Sequence, residues 1–597
     1  MKSWPAKALL YAGAGVLLAA LPALAQDRDS PESLLPPGFG DPQTLPPLEE
    51  KAPPASPRAP QSAPSAADPG LDGNLLDGVE EVELDRSALP RPTNYFTIPE
   101  GAERPIDRIG PLEPGNFGLG ADAFGRGQGP LLATLMRRLD APLPSRWTSI
   151  LLRRALLSRA AAPAGVHPVD WVAERASLLL RMGEADAARM LVQAVDVEHY
   201  TPRMVETAAQ TALATADPAA LCPLVAPARG WSHDPVWTLA DGMCAALEGE
   251  AARASALIDD ARNRAGTGID LLLAEKVVGA GAETRRAVEI EWRGVNEIDP
   301  WRFGLASATG VEIPAPLLAR AGPRIQAWLA RAPMVPLEQR LTAASMAASL
   351  GVLSSNSLVE IHSLMLDQTD VAEQRGTVGA RLRTAWIHRD PAERLEAMRS
   401  LWSESDLAHE RHARLILTAG AAARIPVSDA YAADAANLIA AMLSAGMDRQ
   451  AARWAPIVEQ GGESDRAWAM LALAAPRPAV PVDTGRIGAF ASAGGAMAGR
   501  RGQLLAAALA GLGRITPAEA AQAGLRLGGE DSWTRAIDQA ARARAAGTVA
   551  LLAGVGMQTA DWSGVPPSHL FRIVRALSAV GMDYEARMIA AEAVARL

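Results

Sequence analysis

The apolar positions of this 597-residue chain recur with a helical period over most of its length. In "SRWTSILLRRALLSR" (145–159), Trp147, Ile150 and Leu151 share one face while Arg153 and Arg154 fall off it, as on an amphipathic helix. Helix starts are announced by a capping residue followed by proline: Thr201-Pro202, Asp217-Pro218, Asp299-Pro300, Asp390-Pro391 and Thr516-Pro517. Proline suits the first helical position because the N–H it lacks would have no partner there anyway. In "DPAE" (390–393) and "TPAE" (516–519), a glutamate at the third helical position can reach back to the cap's own N–H. No hairpin dipeptide separates alternating runs, and β-branched stretches are scarce. The pattern predicts an all-α domain over 129–597. Its length is too great for one bundle and natural for an α-solenoid of stacked helical hairpins.

Upstream, the pattern stops. Residues 31–70 contain 12 prolines and little apolar mass, so 26–128 is expected to be a Pro/Gly-rich, largely disordered linker. Apolar anchors return in "NYFTIP" (94–99) and "GNFGLGADAFGRGQG" (115–129). The glycine spacing of the second stretch is wrong for a phosphate loop, and no Lys-Ser/Thr follows it. It reads as a surface loop or as a segment laid against the folded domain.

The first 25 residues read as a secretory signal peptide. Lys2 and Lys7 precede the apolar run Ala8–Leu21, and Ala23-Leu24-Ala25 is a cleavage signal. The best rival apolar stretch, 504–513, is too short to span a bilayer and is flanked by Arg500, Arg501 and Arg514. Only four lysines occur (Lys2, Lys7, Lys51, Lys276), the other basic residues all being arginine, as expected of a GC-rich genome. Together these features point to the periplasm of a Gram-negative bacterium, with no membrane span after signal cleavage. Loss of Lys2 and Lys7 takes the net charge from -9 to -11, which argues against nucleic acid as a partner. In an oxidising compartment Cys222 and Cys244, 22 residues apart, are a candidate disulfide, with two buried thiols as the alternative.

One phrase recurs: "RMGEADAARML" (181–191), "AGMDRQAARWA" (445–455) and "VGMDYEARMIA" (580–590). In each, a glycine ends one helix and an alanine five residues on opens a closely packed face: Gly183 and Ala188, Gly446 and Ala451, Gly581 and Ala586. Gly249 and Ala254 are a weaker fourth case. The phrase resembles the second half of a tetratricopeptide repeat, with "GMDYEARMIAAEAV" (581–594) the best match. Ala586 and Ala593 fall at that family's two small positions. The first-helix pattern of Trp, Leu-Gly and Tyr is not in register with these units, and the resemblance covers roughly 60 residues. It implies a degenerate, tetratricopeptide-like array.

Recognisable chemistry is scarce. His409 and His412 in "AHERHARL" are three apart rather than the four of a zinc-binding H-E-x-x-H, and are expected on an exposed helix face. The adjacent carboxylates Glu80-Glu81 and Asp259-Asp260 point apart on a helix. No nucleophile elbow or Walker loop is present. Soluble lytic transglycosylases combine a periplasmic superhelix with a catalytic Glu-Ser context that this chain lacks. No catalytic, metal or cofactor residue is assigned. Tryptophan outnumbers phenylalanine and tyrosine, 14 against 7 and 5, so a tryptophan-lined groove could grip peptides or stack on sugars, although most are expected in the core. The expectation is a non-catalytic scaffold or adaptor that binds a protein or peptide partner. The alternative is a peptidoglycan- or glycan-associated envelope factor.

Overall fold

The computed structural model describes residues 101–597 apart from 267, 282–287, 462–465, 494, 496 and 523. The expected signal peptide, the proline-rich stretch, "NYFTIP" and Glu80-Glu81 lie outside the described residues. The described residues belong to one compact unit.

The described residues are almost wholly helical, and their only sheet pairs Arg108–Ile109 with Ala160–Ala161. The expected caps operate. Thr201, Asp299 and Asp390 each accept a backbone N–H from the turn that follows, as does Asp217 at a short 3-10 turn. Thr516 and Glu519 cap each other: the Thr516 N–H donates to Glu519 Oε2 at 2.6 Å, and the Glu519 N–H to Thr516 Oγ1 at 3.2 Å. No helix among the described residues is long and apolar enough to cross a membrane.

Consecutive helices pack on one another in a stack. α1 (Gly129–Arg138), α2 (Arg146–Leu157), α3 (Pro168–Arg181), α4 (Ala185–Val192) and α5 (Pro202–Ala214) begin it. α6 (Cys222–Arg229), α7 (Val236–Leu247), α8 (Ala251–Ala265), α9 (Ile269–Gly281) and α10 (Pro300–Ala308) continue it. One apolar core runs through the stack from Ile109 to Val594. The fold is an all-α array of stacked helices, compatible with a helical repeat.

The array returns to its own beginning. α2 packs on α3 and α4, and also on the helices Leu337–Leu350, Ala546–Gly556 and Asp583–Ala595. Nine of its twelve residues are buried, so α2 is an axle and not a surface helix. The recurring phrases meet it. Gly183, Gly446 and Gly581 all have positive φ, as the turn requires, and Ala188, Ala451 and Ala586 are fully buried behind them. Arg153 of α2 donates to Glu184 at 2.6 Å and to the Gly351 carbonyl at 2.9 Å, while Arg154 pairs with Glu585. Tyr584 donates its hydroxyl to the Gly446 carbonyl at 2.9 Å and stands edge-on to Trp147 of α2. Arg587 bridges Asp583 (2.7 Å) and Asp448 (3.0 Å), tying the second phrase to the third.

Residues 101–128, grouped by composition with the linker, lie against the helices. Arg104 grips Asp196 through its backbone N–H and its guanidinium. Phe124 is buried edge-on against Trp171, and the Ala123 carbonyl accepts from the Gly547 N–H at 2.7 Å. The segment is thereby clamped to both ends of the helical chain.

Candidate functional site

Polar side chains gather on a built framework in a buried cluster at the start of α2 and in a tryptophan-lined cavity between α5, α7 and α10.

The buried cluster forms because α2 starts inside the protein, where its first N–H groups cannot reach water. Ser145 caps the helix by accepting from Thr148, and Glu592 supplies the rest. One Glu592 oxygen accepts from Ser145 Oγ at 2.7 Å and the Trp147 N–H at 3.1 Å. The other accepts from the Arg146 N–H at 2.9 Å and from Arg596 at 3.0 Å. A carboxylate at a helix N-terminus also complements the helix dipole. Arg146, fully buried, donates to the carbonyls of Ala348, Leu353 and Ser444. Desolvation lowers its guanidinium pKa to about 10, an effect opposed by the Glu592 charge, so it remains a cation at neutral pH.

His412 belongs to this cluster. The expected exposed face is corrected: His412 is buried, with Nε2 4.0 Å from Glu592 Oε1, and only His409 lies toward the surface. The helix Ala408–Ala422 is wrapped by its neighbours, so a polar-looking sequence face became interior. Burial first, then the charges of Arg596 and Arg146, hold the His412 imidazole well below the usual histidine range. His362 is likewise pushed down to about 3, by burial and then by Arg414. Among the described residues no cluster of three His, Cys, Asp or Glu side chains could hold a metal ion. Asp259 and Asp260 pair separately, with Arg262 and Arg264.

The cavity is built from cap signals and from the cysteine pair. Thr201-Pro202 starts α5, whose Arg203, Glu206, Gln210 and Leu213 recur at helical spacing along one wall. Asp217-Pro218 starts the turn that places Leu221, and next to it Cys222 is joined to Cys244 of α7 in a disulfide with Cα atoms 5.5 Å apart. Between them the loop 230–235 folds tightly: the Ser232 N–H donates to the Ala228 carbonyl at 2.8 Å, and Asp234 accepts from the Val236 N–H at 3.0 Å just ahead of α7. That loop presents Trp231, 45% exposed, while Trp237 and Trp301 are almost buried. Trp301 is oriented by its indole N–H, which donates to the Asp270 carbonyl at 3.1 Å. The cavity encloses about 530 Å³ and has one cation in its lining, Arg203, which is engaged by Glu206 at 2.9 Å and Glu174 at 3.4 Å.

A second cleft, about 870 Å³, lies between the start of α9 and residues 289–297. Its Asp270 is held by two guanidinium nitrogens of Arg302, at 2.8 and 3.0 Å.

Sequence reasoning counted the tryptophans without bringing Trp231, Trp237 and Trp301 together. The usable signal was local: two of them follow within three residues of an Asp-Pro dipeptide, Asp234-Pro235 and Asp299-Pro300. Neither a protein-family model, nor a curated protein, nor a solved structure matches the chain.

Proposed function

We propose that this chain is an exported, non-catalytic scaffold of the periplasm, built on a degenerate tetratricopeptide-like array. It holds a protein or peptide partner at the tryptophan-lined cavity. The observation that carries the reading is the cavity itself: three indoles and the aliphatic faces of Leu213, Leu221 and Val236 on a disulfide-braced frame. Tryptophan in a recess is the residue type and setting that dominates polypeptide recognition. The axle position of α2 favours this outer site, because the interior that an open array would offer to a partner is occupied.

The glycan reading draws on the same indoles, since an exposed Trp231 face with Glu206 and Gln210 nearby would suit a sugar ring. The largely apolar lining favours a peptide side chain. A photo-crosslinking amino acid in place of the exposed Gln210 separates the two in living cells. The expected product is a discrete protein adduct that disappears when Trp231→Ala is added. Trp231-dependent sedimentation with isolated peptidoglycan, without a protein adduct, would refute the scaffold reading.

A further inference from the structure

We infer that the ligand of the tryptophan-lined cavity is a basic, proline-rich polypeptide segment in the polyproline II conformation. The inference rests on the reading that the cavity holds a polypeptide. Three recurring modes of peptide capture can be compared. Strand addition needs a free sheet edge, and the only sheet among the described residues, Arg108–Ile109 with Ala160–Ala161, does not line the cavity. Helix capture needs a long apolar groove, and the one the array encloses already contains α2. Polyproline II recognition needs an aromatic surface for the proline rings, and the half-exposed Trp231 provides one in a lining it shares with the nearly buried Trp237 and Trp301.

Two further features fit that ligand. A polyproline II backbone makes no internal hydrogen bonds, so its carbonyls need outside donors. The Gln210 amide and the Ser232 hydroxyl stand at the rim for this purpose. The rim is also acidic. Glu206 and Asp234 contribute carboxylates, and the single lining cation, Arg203, is shared between Glu206 and Glu174. A ligand carrying lysine or arginine beside its prolines is therefore favoured over a neutral or acidic one. The pyrrolidine ring pre-sets the backbone, so such a segment loses little conformational entropy on binding.

The test uses a C-terminally amidated peptide of matching chemistry, "KAPPASPRAP", which copies residues 51–60 and carries two cationic side chains, four prolines and no carboxylate. The fluorescein-labelled peptide is titrated with the full chain at low salt and followed by anisotropy. The expected result is saturable binding, at least tenfold weaker for Trp231→Ala and severalfold weaker for Asp234→Asn or at high salt. A peptide with alanine for every proline should bind at least tenfold more weakly. Trp231 is half exposed, so W231A keeps its melting temperature, and D234N reads the charge term without touching an indole. Equal binding of the alanine peptide, or binding indifferent to both substitutions, would overturn the inference. A protein adduct at Gln210 without proline-peptide binding rejects polyproline recognition and leaves the scaffold reading standing. Peptidoglycan capture alone rejects both.

Discussion

Glu592 is the position at which the closure of the array can be tested. Its carboxylate is 3% exposed and accepts four hydrogen bonds, from Ser145, Arg146, Trp147 and Arg596. Glu592→Ala strands two buried N–H groups at the start of α2 and removes the nearest countercharge from Arg146. Breaking a buried charge pair costs ~3–5 kcal/mol, and each orphaned buried donor ~1–3 kcal/mol. These losses overlap, because the same cavity admits water to all of them, so about 4 kcal/mol is expected for E592A. Glu592→Gln keeps the shape and part of the bonding and should cost about 2 kcal/mol. With an unfolding entropy near ~2.1 cal/mol/K per residue, a cooperative unit of roughly 500 residues loses about 1 °C of Tm per kcal/mol. The drop in Tm is then about 4 °C for E592A, so urea denaturation is the more sensitive assay. Hydrogen exchange locates the effect: α2 amides should lose protection together with those of Asp583–Ala595. Stability within 1 kcal/mol of wild type, with α2 protection unchanged, would refute the view that Glu592 staples the two ends of the chain.

Three further outcomes follow from the same geometry. His362 and His412 have folded pKa values below the unfolded value near ~6.5, so the unfolded chain binds more protons as pH falls beneath that value. Their contribution to stability is complete above pH ~6.5 and is lost at about 1.4 kcal/mol per pH unit per histidine toward acid; His362→Gln or H412Q should flatten the stability profile between pH 6.5 and 4.5, and an unchanged slope would contradict their burial. Gly446→Ala places a Cβ 2.1 Å from the Tyr584 hydroxyl at a positive φ, whereas Gly581→Ala meets open space at a similar φ. Backbone strain alone is ~1–2 kcal/mol, so G581A should cost about that and G446A distinctly more, with equal costs in chemical denaturation arguing against the Gly446–Tyr584 contact. Reducing Cys222–Cys244, or replacing both by serine, should lower stability by roughly 3 kcal/mol and weaken the binding proposed at Trp231, while a variant as stable as the oxidised protein would show that α6 and α7 need no brace.

The helical class, the cap positions and the turn phrase were legible because each depends on neighbours within a few residues. Thr516 and Glu519 are three apart and cap each other wherever the helix goes. Gly183, Gly446 and Gly581 need positive φ for a reason that is local to the turn. The cavity and the buried cluster were not legible, because their members come from distant parts of the chain. Trp231 and Trp301 are brought together by the packing of α5 on both α6 and α10, and periodicity cannot say which helix sits beside which.

His412 and α2 show the same division most sharply. "AHERHARL" reads as a wet helix face, and "SRWTSILLRRALLSR" as a half-buried one, since hydropathy averages over neighbours in sequence. By itself the sequence determined that this chain forms helices, where several of them begin, and that small residues open the packed face after the recurring glycine turns. Tertiary structure alone decided that α2 lies at the centre, that Glu592 lies beside Ser145, and that three tryptophans share one cavity. The physical reason is range: caps and turns are settled by bonds to adjacent residues. Burial of a particular polar group is settled by which of many similar apolar faces meet, and that depends on the whole chain closing at once.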